Sequence, residues 1–170
     1  AGEASTVTYY DYALHPALEG EGLASVLPVE ERDFEFVKGV EVLLSKTERS
    51  YLDTPKDPFK HGATKAQSVT RNYKKICTEF SYELEDNRLR VKSSTRGFDG
   101  SLQTSEKVLS TQTGLLLAEV GVDGTRIEHE YDAIGRAVCK TVAPGTPYAA
   151  STQWAYLAAS KQQPATMVTT

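Results

Sequence analysis

From Ala66 to the C-terminus, apolar and polar residues alternate in short runs, and most runs end in a dipeptide suited to reversing the chain. Alternation with period two predicts half-buried strands rather than helices. Strand pairing then follows by arithmetic. A two-residue turn at Asp86-Asn87, a pair that tolerates positive φ, sets Leu84 opposite Leu89 and Tyr82 opposite Val91, with Glu85 opposite Arg88 and Glu83 opposite Arg90. Apolar residues share one face and opposite charges the other, each pair contributing roughly 0.2–1 kcal/mol. A slip of one residue would undo the match. A like turn at Asp99-Gly100 sets Val91 against Val108 and Thr95 against Thr104. At Asp123-Gly124 it sets Val120 against Ile127, Ala118 against His129 and Leu116 against Tyr131, at the expense of a like-charged pair, Glu119 and Glu128. Further strands are expected around Val138 to Val142, Ser151 to Leu157 and Met167-Val168, with Pro144 to Pro147 turning the chain between the first two. The expected fold is all-β, an antiparallel hairpin meander with no natural ending, which leaves sheet edges exposed.

The pattern is less regular before this region. Tyr9, Tyr10 and Tyr12 predict one strand, and Phe34 to Tyr51, with Val40, Val42 and Leu44 on one parity, predicts at least one more. The polar stretch Glu30 to Asp33 reads as a helical turn or a loop, and Leu52 to Ala63, with Pro55, Pro58 and Gly62, as a long loop. Val69, Tyr73, Ile76 and Phe80 also fit one helical face, but the threonines and β-branched residues around them favour a strand. The parity shift between Tyr73 and Ile76 predicts a β-bulge. The expected organisation is an irregular N-terminal segment over residues 1–65 with one or two strands, and a hairpin region over 66–170, the two forming separate parts or one continuous domain.

Composition changes this picture little. The 170 residues fit one domain or one piece of a larger one, with 39% hydrophobic and 25% charged residues. A net charge of −4 argues against nucleic acid as a partner. Apolar runs such as Leu115 to Ala118 are far too short for a membrane-spanning helix, and no basic amphipathic helix argues for insertion. Ala1-Gly2-Glu3 has no signal-peptide character. The only methionine is Met167, so the chain reads as processed or cut from a longer protein. Cys77 and Cys139 are too isolated for a disulfide framework or a metal motif. No Asn-x-Ser/Thr glycosylation site occurs.

The stretch from Gly114 to Arg136, GLLLAEVGVDGTRIEHEYDAIGR, carries Asp123-Gly124 at its middle and Tyr131-Asp132-Ala133-Ile134-Gly135-Arg136 at its end. It resembles the YD repeat of the Rhs family, on Gly114, Asp123, Gly124, Tyr131, Asp132, Gly135 and Arg136. Val142 to Tyr148 is similar to a connector in the insecticidal-toxin-like members, and Gly97-Phe98-Asp99-Gly100 looks like a degenerate repeat. Residues 1–65 join the resemblance only by continuity. In the family, repeats wind into a curved or rolled β-sheet, part of a large shell around a C-terminal toxin domain, and teneurins use a related shell in adhesion. The resemblance implies a non-catalytic section of such a shell in a bacterial protein. It would be cytoplasmic before export and then secreted or delivered by a secretion system. Its implied partners are neighbouring repeats, the encapsulated toxin and a delivery-complex protein. Stacking suits the physics, because one hairpin cannot bury its apolar face alone. Gly124 and Gly135 supply positive φ, and Asp123 and Asp132 bond turn amides. Tyr131 packs its ring between repeats with a solvated hydroxyl, and Arg136 reaches a carboxylate or carbonyls of the next turn.

No catalytic, cofactor or metal residues are expected. His15, His61 and His129 are dispersed without ligand spacing, and His129 shares a strand face with Ile127 and Tyr131. Cys77 has no nucleophile-elbow glycines. Glu128 and Glu130, about 7 Å apart along one strand face, read as a solvated face rather than a glycosidase pair. Asp57-Pro58 is similar to the aspartate–proline context of self-cleavage in Rhs proteins, but the flanking signature is missing and no cleavage is assigned. The basic residues Arg88, Arg90, Lys92 and Arg96 lack interleaved aromatics for nucleic acid and are expected to pair with Glu83 and Glu85. The rival to the shell is a binding module presenting Tyr9, Tyr10, Tyr12, Tyr148, Trp154 and Tyr156 to a glycan or cell-surface receptor. An enzyme would require two carboxylates converging in a pocket.

Overall fold

The computed structural model describes residues 5–158 and 166–170; Ala1-Gly2-Glu3, read above for targeting, lie outside them. The fold is all-β. The strands are β1 (Thr6–His15), β2 (Ser25–Val37), β3 (Val40–Tyr51), β4 (Thr64–Arg71), β5 (Lys74–Glu85), β6 (Arg88–Arg96), β7 (Leu102–Ser110), β8 (Leu116–Val120), β9 (Arg126–Tyr131), β10 (Ala137–Val142), β11 (Ala150–Leu157) and β12 (Thr166–Thr169). Hydrogen-bonded order follows chain order from β1 to β12, an antiparallel meander. The chain divides into two compact units, Ala1–Ser81 with Ser93–Gln103, and Tyr82–Lys92 with Thr104–Thr170.

In the first unit, pairing is continuous across residue 65, where β3 pairs β4. The polar stretch Glu30 to Asp33 is no helical turn or loop: it lies inside β2, with Glu31 opposite Tyr10 and Thr47. Its charges are accommodated by cross-strand partners rather than by solvent alone. Arg32 binds Asp11 at 2.8 Å and Glu30 at 3.2 Å, Lys46 joins Glu30 at 2.9 Å to Glu48 at 3.1 Å, and Glu48 reaches Lys75 at 3.1 Å. This ion ladder links β1, β2, β3 and β5. The two lysines hold the Glu48 carboxyl down at about 2, Lys46 being the larger influence. On the adjacent register row, Ser45 and Thr8 donate to Asp33 at 2.5 and 2.8 Å and lower its pKa, Ser45 first.

The expected bulge near Tyr73 is instead a reversal. Asn72 and Tyr73 form a two-residue turn with φ of 48° and 60°, and Arg71 pairs with Lys74. A turn of this length reverses the strand, so apolar parity shifts without any extra residue. Lys38-Gly39 makes the same kind of turn between Val37 and Val40. Bulges do occur elsewhere: Pro28 sits opposite Tyr12 next to one, a position that tolerates its missing N–H. Leu52 to Ala63 is the expected long loop, closed by Leu52 N–H to Ala63 O at 2.8 Å and Gly62 N–H to Leu52 O at 3.0 Å.

In the second unit, Asp86-Asn87 is the expected two-residue turn, with φ of 46° and 60°. Thr111 donates both its amide and its hydroxyl to Asn87 O at 2.9 Å, tying the start of the next connection to this turn. Arg90 does bind a carboxylate, but it is Glu106 of β7, at 3.0 Å. Cys77 and Cys139 are both free. Little is buried: among the described residues Ala118 is the one hydrophobic residue closed off from solvent, while Leu14, Val26, Val40, Leu43 and Tyr148 stand well exposed.

Candidate functional site

The sequence motifs converge on a set of chain reversals built to one plan. At Gly121 to Thr125 the loop holds three residues, not two. Gly121 N–H donates to Thr125 O at 3.0 Å, and Gly124 N–H, at φ 79°, donates back to Gly121 O at 3.0 Å. The pairing therefore moves by one residue from the expected register: Ala118 faces Glu128, Glu119 faces Ile127 and Val120 faces Arg126. The shift removes the anticipated Glu119–Glu128 clash. Glu119 instead lies 3.7 Å from Nε2 of His129, a largely buried ring whose Nε2 has no hydrogen-bond partner among the described residues. Glu128 binds Arg126 at 2.8 Å.

The other two reversals share the loop. Gly97 N–H donates to Ser101 O at 2.9 Å and Gly100 N–H to Gly97 O at 3.0 Å. Asp132 N–H donates to Arg136 O at 2.9 Å and Gly135 N–H, at φ 84°, to Asp132 O at 3.0 Å. Asp99-Gly100 is thus also not a two-residue turn. Three-residue loops of this kind need a left-handed residue at their third position, which Gly100, Gly124 and Gly135 provide.

The aspartates work in two ways. Asp123 accepts the Thr125 amide at 3.0 Å and its hydroxyl at 2.9 Å, and Asp99 accepts the Ser101 amide at 3.0 Å and hydroxyl at 2.6 Å. The amide of Thr125, then its hydroxyl, lowers the Asp123 pKa; for Asp99 the Ser101 hydroxyl leads, then the amide. Each carboxylate folds back over a glycine: a Cβ on Gly121 would meet Asp123 Oδ1 at 2.8 Å, and one on Gly97 would meet Asp99 Oδ1 at 2.6 Å. Gly121, Ser101 and Thr125 therefore belong to the motif though the resemblance did not single them out, and Gly97 belongs to it as part of the degenerate repeat. The repeated Gly-x-Asp-Gly-Ser/Thr spelling was the available signal.

Asp132 stands instead at the start of its loop. It accepts the Ile134 amide at 3.1 Å, the Arg136 amide at 2.9 Å and Arg136 Nε at 2.7 Å, and the Arg136 amide is the leading cause of its lowered pKa. Arg136 thus serves its own turn rather than the next one, and its guanidinium also lies 4.3 Å above the Tyr156 ring. Tyr156 donates its hydroxyl to Ala137 O at 2.8 Å. The Tyr131 hydroxyl, expected to be solvated, donates to Leu116 O at 2.8 Å. Gly114, at φ 71°, ends the β7–β8 connection with its amide on Ser110 O at 2.8 Å.

Two other groups of polar side chains gather in the fold. A cavity of about 620 Å³ in the second unit is lined by residues of both charges, including Glu83, Arg90, Glu106, Arg126, Glu128 and Glu130. In the first unit, His15 and His61, which looked dispersed in the sequence, meet near Asp53. Asp57 caps its own loop, accepting the Phe59 amide at 3.1 Å and pairing with Lys60 at 3.4 Å.

No family model, curated protein or solved structure matches the chain.

Proposed function

We propose that the chain is a non-catalytic section of an Rhs/YD-repeat shell, a curved or rolled sheet that encapsulates or scaffolds a toxin domain. The observation that carries this reading is the combination of hairpins laid down in strict chain order with, among the described residues, almost no buried apolar side chain of their own. A sheet with so little core is completed by neighbours that cover its apolar residues. The three-residue turn that recurs at Gly97, Gly121 and Asp132 supports the reading, since it gives three of the hairpins one backbone closure. So does the way Arg136 and Ala137 engage Tyr156 of a later strand, because adjoining hairpins are then locked by side chains as well as by backbone. On this reading the partners are flanking repeats, a C-terminal toxin and a delivery-complex protein. The protein is bacterial, held in the cytoplasm before export and then secreted or delivered.

The test is to sequence the coding region on both sides and image the whole protein by electron microscopy. Expected are further YD repeats, a variable downstream domain, and a hollow shell whose wall contains these strands. Flanking sequence without repeats would overturn the proposal.

The binding-module alternative rests on Tyr10 and Tyr12, exposed on β1 with ring centroids 6.3 Å apart. Aromatic rings spaced along a strand suit stacking on sugars. Glycan-array binding that is lost when both tyrosines become alanine would favour it.

A further inference from the structure

His15 is the last residue of β1, and Asp53 and His61 belong to the Leu52 to Ala63 loop. The fold brings one ligand atom of each within 4.8 Å of the others. The imidazole rings stand 4.4 Å apart at 59°, and His61 Nδ1 lies 3.9 Å from Asp53 Oδ1. We propose that these three residues form a binding site for a borderline divalent cation of the zinc class, which clamps the 52–63 loop to the end of β1.

The donor set is the first argument. Two imidazoles and one carboxylate suit Zn²⁺, Ni²⁺ or Co²⁺ rather than Ca²⁺ or Mg²⁺, which favour all-oxygen sites. Metal bonds of about 2.0–2.2 Å bring donor atoms to roughly 3–3.4 Å from one another. Side-chain rotation covers the remaining distance.

The second argument is the orientation of the rings. His61 Nε2–H donates to Pro16 O at 2.8 Å. That fixes the tautomer and leaves the Nδ1 lone pair on the Asp53 side, as backbone carbonyls do for metal-bound histidines. The Thr54 amide occupies this lone pair at 3.2 Å, and a cation would displace it. His15 is nearly buried, and both of its nitrogens face carbonyl oxygens: Nε2 is 3.1 Å from Leu52 O and Nδ1 is 3.2 Å from Pro16 O. A neutral ring carries one N–H, so one nitrogen points its lone pair at an oxygen. With the cation on the lone-pair nitrogen, the other nitrogen keeps its N–H on a carbonyl oxygen, as metal-bound histidines do.

The third argument is an unsatisfied polar atom. The Thr54 hydroxyl, beside Asp53 in the loop, is buried without a hydrogen-bond partner among the described residues. Solvent access is provided by Asp53, whose side chain is 62% exposed, leaving room for water to complete the coordination. The site also lies where a clamp is useful. Glu19 N–H donates to Pro55 O at 2.8 Å, so the connection after β1 and the 52–63 loop already touch.

The test uses the full chain without a histidine tag, stripped by chelator and titrated with Zn²⁺ by calorimetry and with Co²⁺ by visible absorption. Expected are one equivalent bound in the micromolar range or tighter, ligand-field bands from nitrogen and oxygen donors, and a melting temperature that rises with Zn²⁺. Asp53→Asn, at an exposed position, should weaken binding about tenfold or more. His61→Ala should abolish it, and His129→Ala, far from the site in sequence, should leave it unchanged. Absence of saturable binding to the folded chain, or equal binding by the Asp53→Asn and His61→Ala variants, would overturn the proposal.

Discussion

At the scale of single residues, the turn chemistry was legible because it is local. Asp123, Asp132, Gly124 and Gly135 do what their types suggest, since φ preference and side-chain-to-amide bonding involve residues at most four positions apart. The destinations of Tyr131 and Arg136 were not legible, because Leu116 O and the Tyr156 ring reach them only after strands have paired. Tyr73, like Lys38 and Ala143, breaks its local rule: it is fully exposed at φ 60°, at a turn position where glycine is the usual occupant. Tyr73→Gly should therefore stabilise the protein by about 1 kcal/mol, the relief of left-handed strain less the backbone entropy glycine loses. Urea denaturation of the two proteins checks this, and a destabilised variant would mean that the ring contributes packing not apparent from its exposure.

At the scale of elements, strand positions after Ala66 followed from period-two alternation, and the ion ladder in the first unit explains why the same reading failed at Glu30 to Asp33. A run of charges looks like a loop when its partners, Asp11, Lys46 and Arg49, lie on other strands. The ladder has a pH signature. The Glu48 pKa is depressed from 4.5 to about 2 in the folded chain. Its contribution is therefore present above the unfolded value and is lost as pH falls through the folded one. Thermal melts between roughly pH 5 and pH 2 should show a steep loss of stability that Glu48→Gln flattens. Added salt should reduce the difference, because these side chains are partly exposed and screened. A Glu48→Gln profile parallel to the parent would remove the ladder from the account.

At the scale of the whole molecule, the notable quantity is the apolar surface that remains open. Tyr10, Tyr12, Leu14, Val26 and Val40 are all exposed on strands of the first unit. Exposed apolar side chains gathered along one strand, as Tyr10, Tyr12 and Leu14 are on β1, mark a site of association, and exposed strand edges add to it. Expressed as these 170 residues, the chain should bind a hydrophobic dye and form concentration-dependent oligomers in light scattering. Lysine at both Tyr10 and Tyr12 should reduce both signals. A dye-silent monomer at high concentration would argue that the surface is tolerated as it stands, and would weaken the shell reading with it.

The amino-acid order was enough to specify all-β structure, the Asp86-Asn87 hairpin and the sites of most reversals, since alternation and positive-φ chemistry act within a few residues. Alternation alone could not set the one-residue choice between two- and three-residue loops at Gly97 and Gly121, although the Gly-x-Asp-Gly-Ser/Thr spelling marks it. That choice turns on whether a carboxylate folds back over a glycine to meet a Ser or Thr across the turn, and it shifts the facing partners of the strands beyond. Nor could it bring His15 to His61 and Asp53. That meeting needs β1, β2 and β3 paired in register and the 52–63 loop closed upon itself. Contacts between distant residues are selected by the assembled sheet, whose energy no short window of sequence contains.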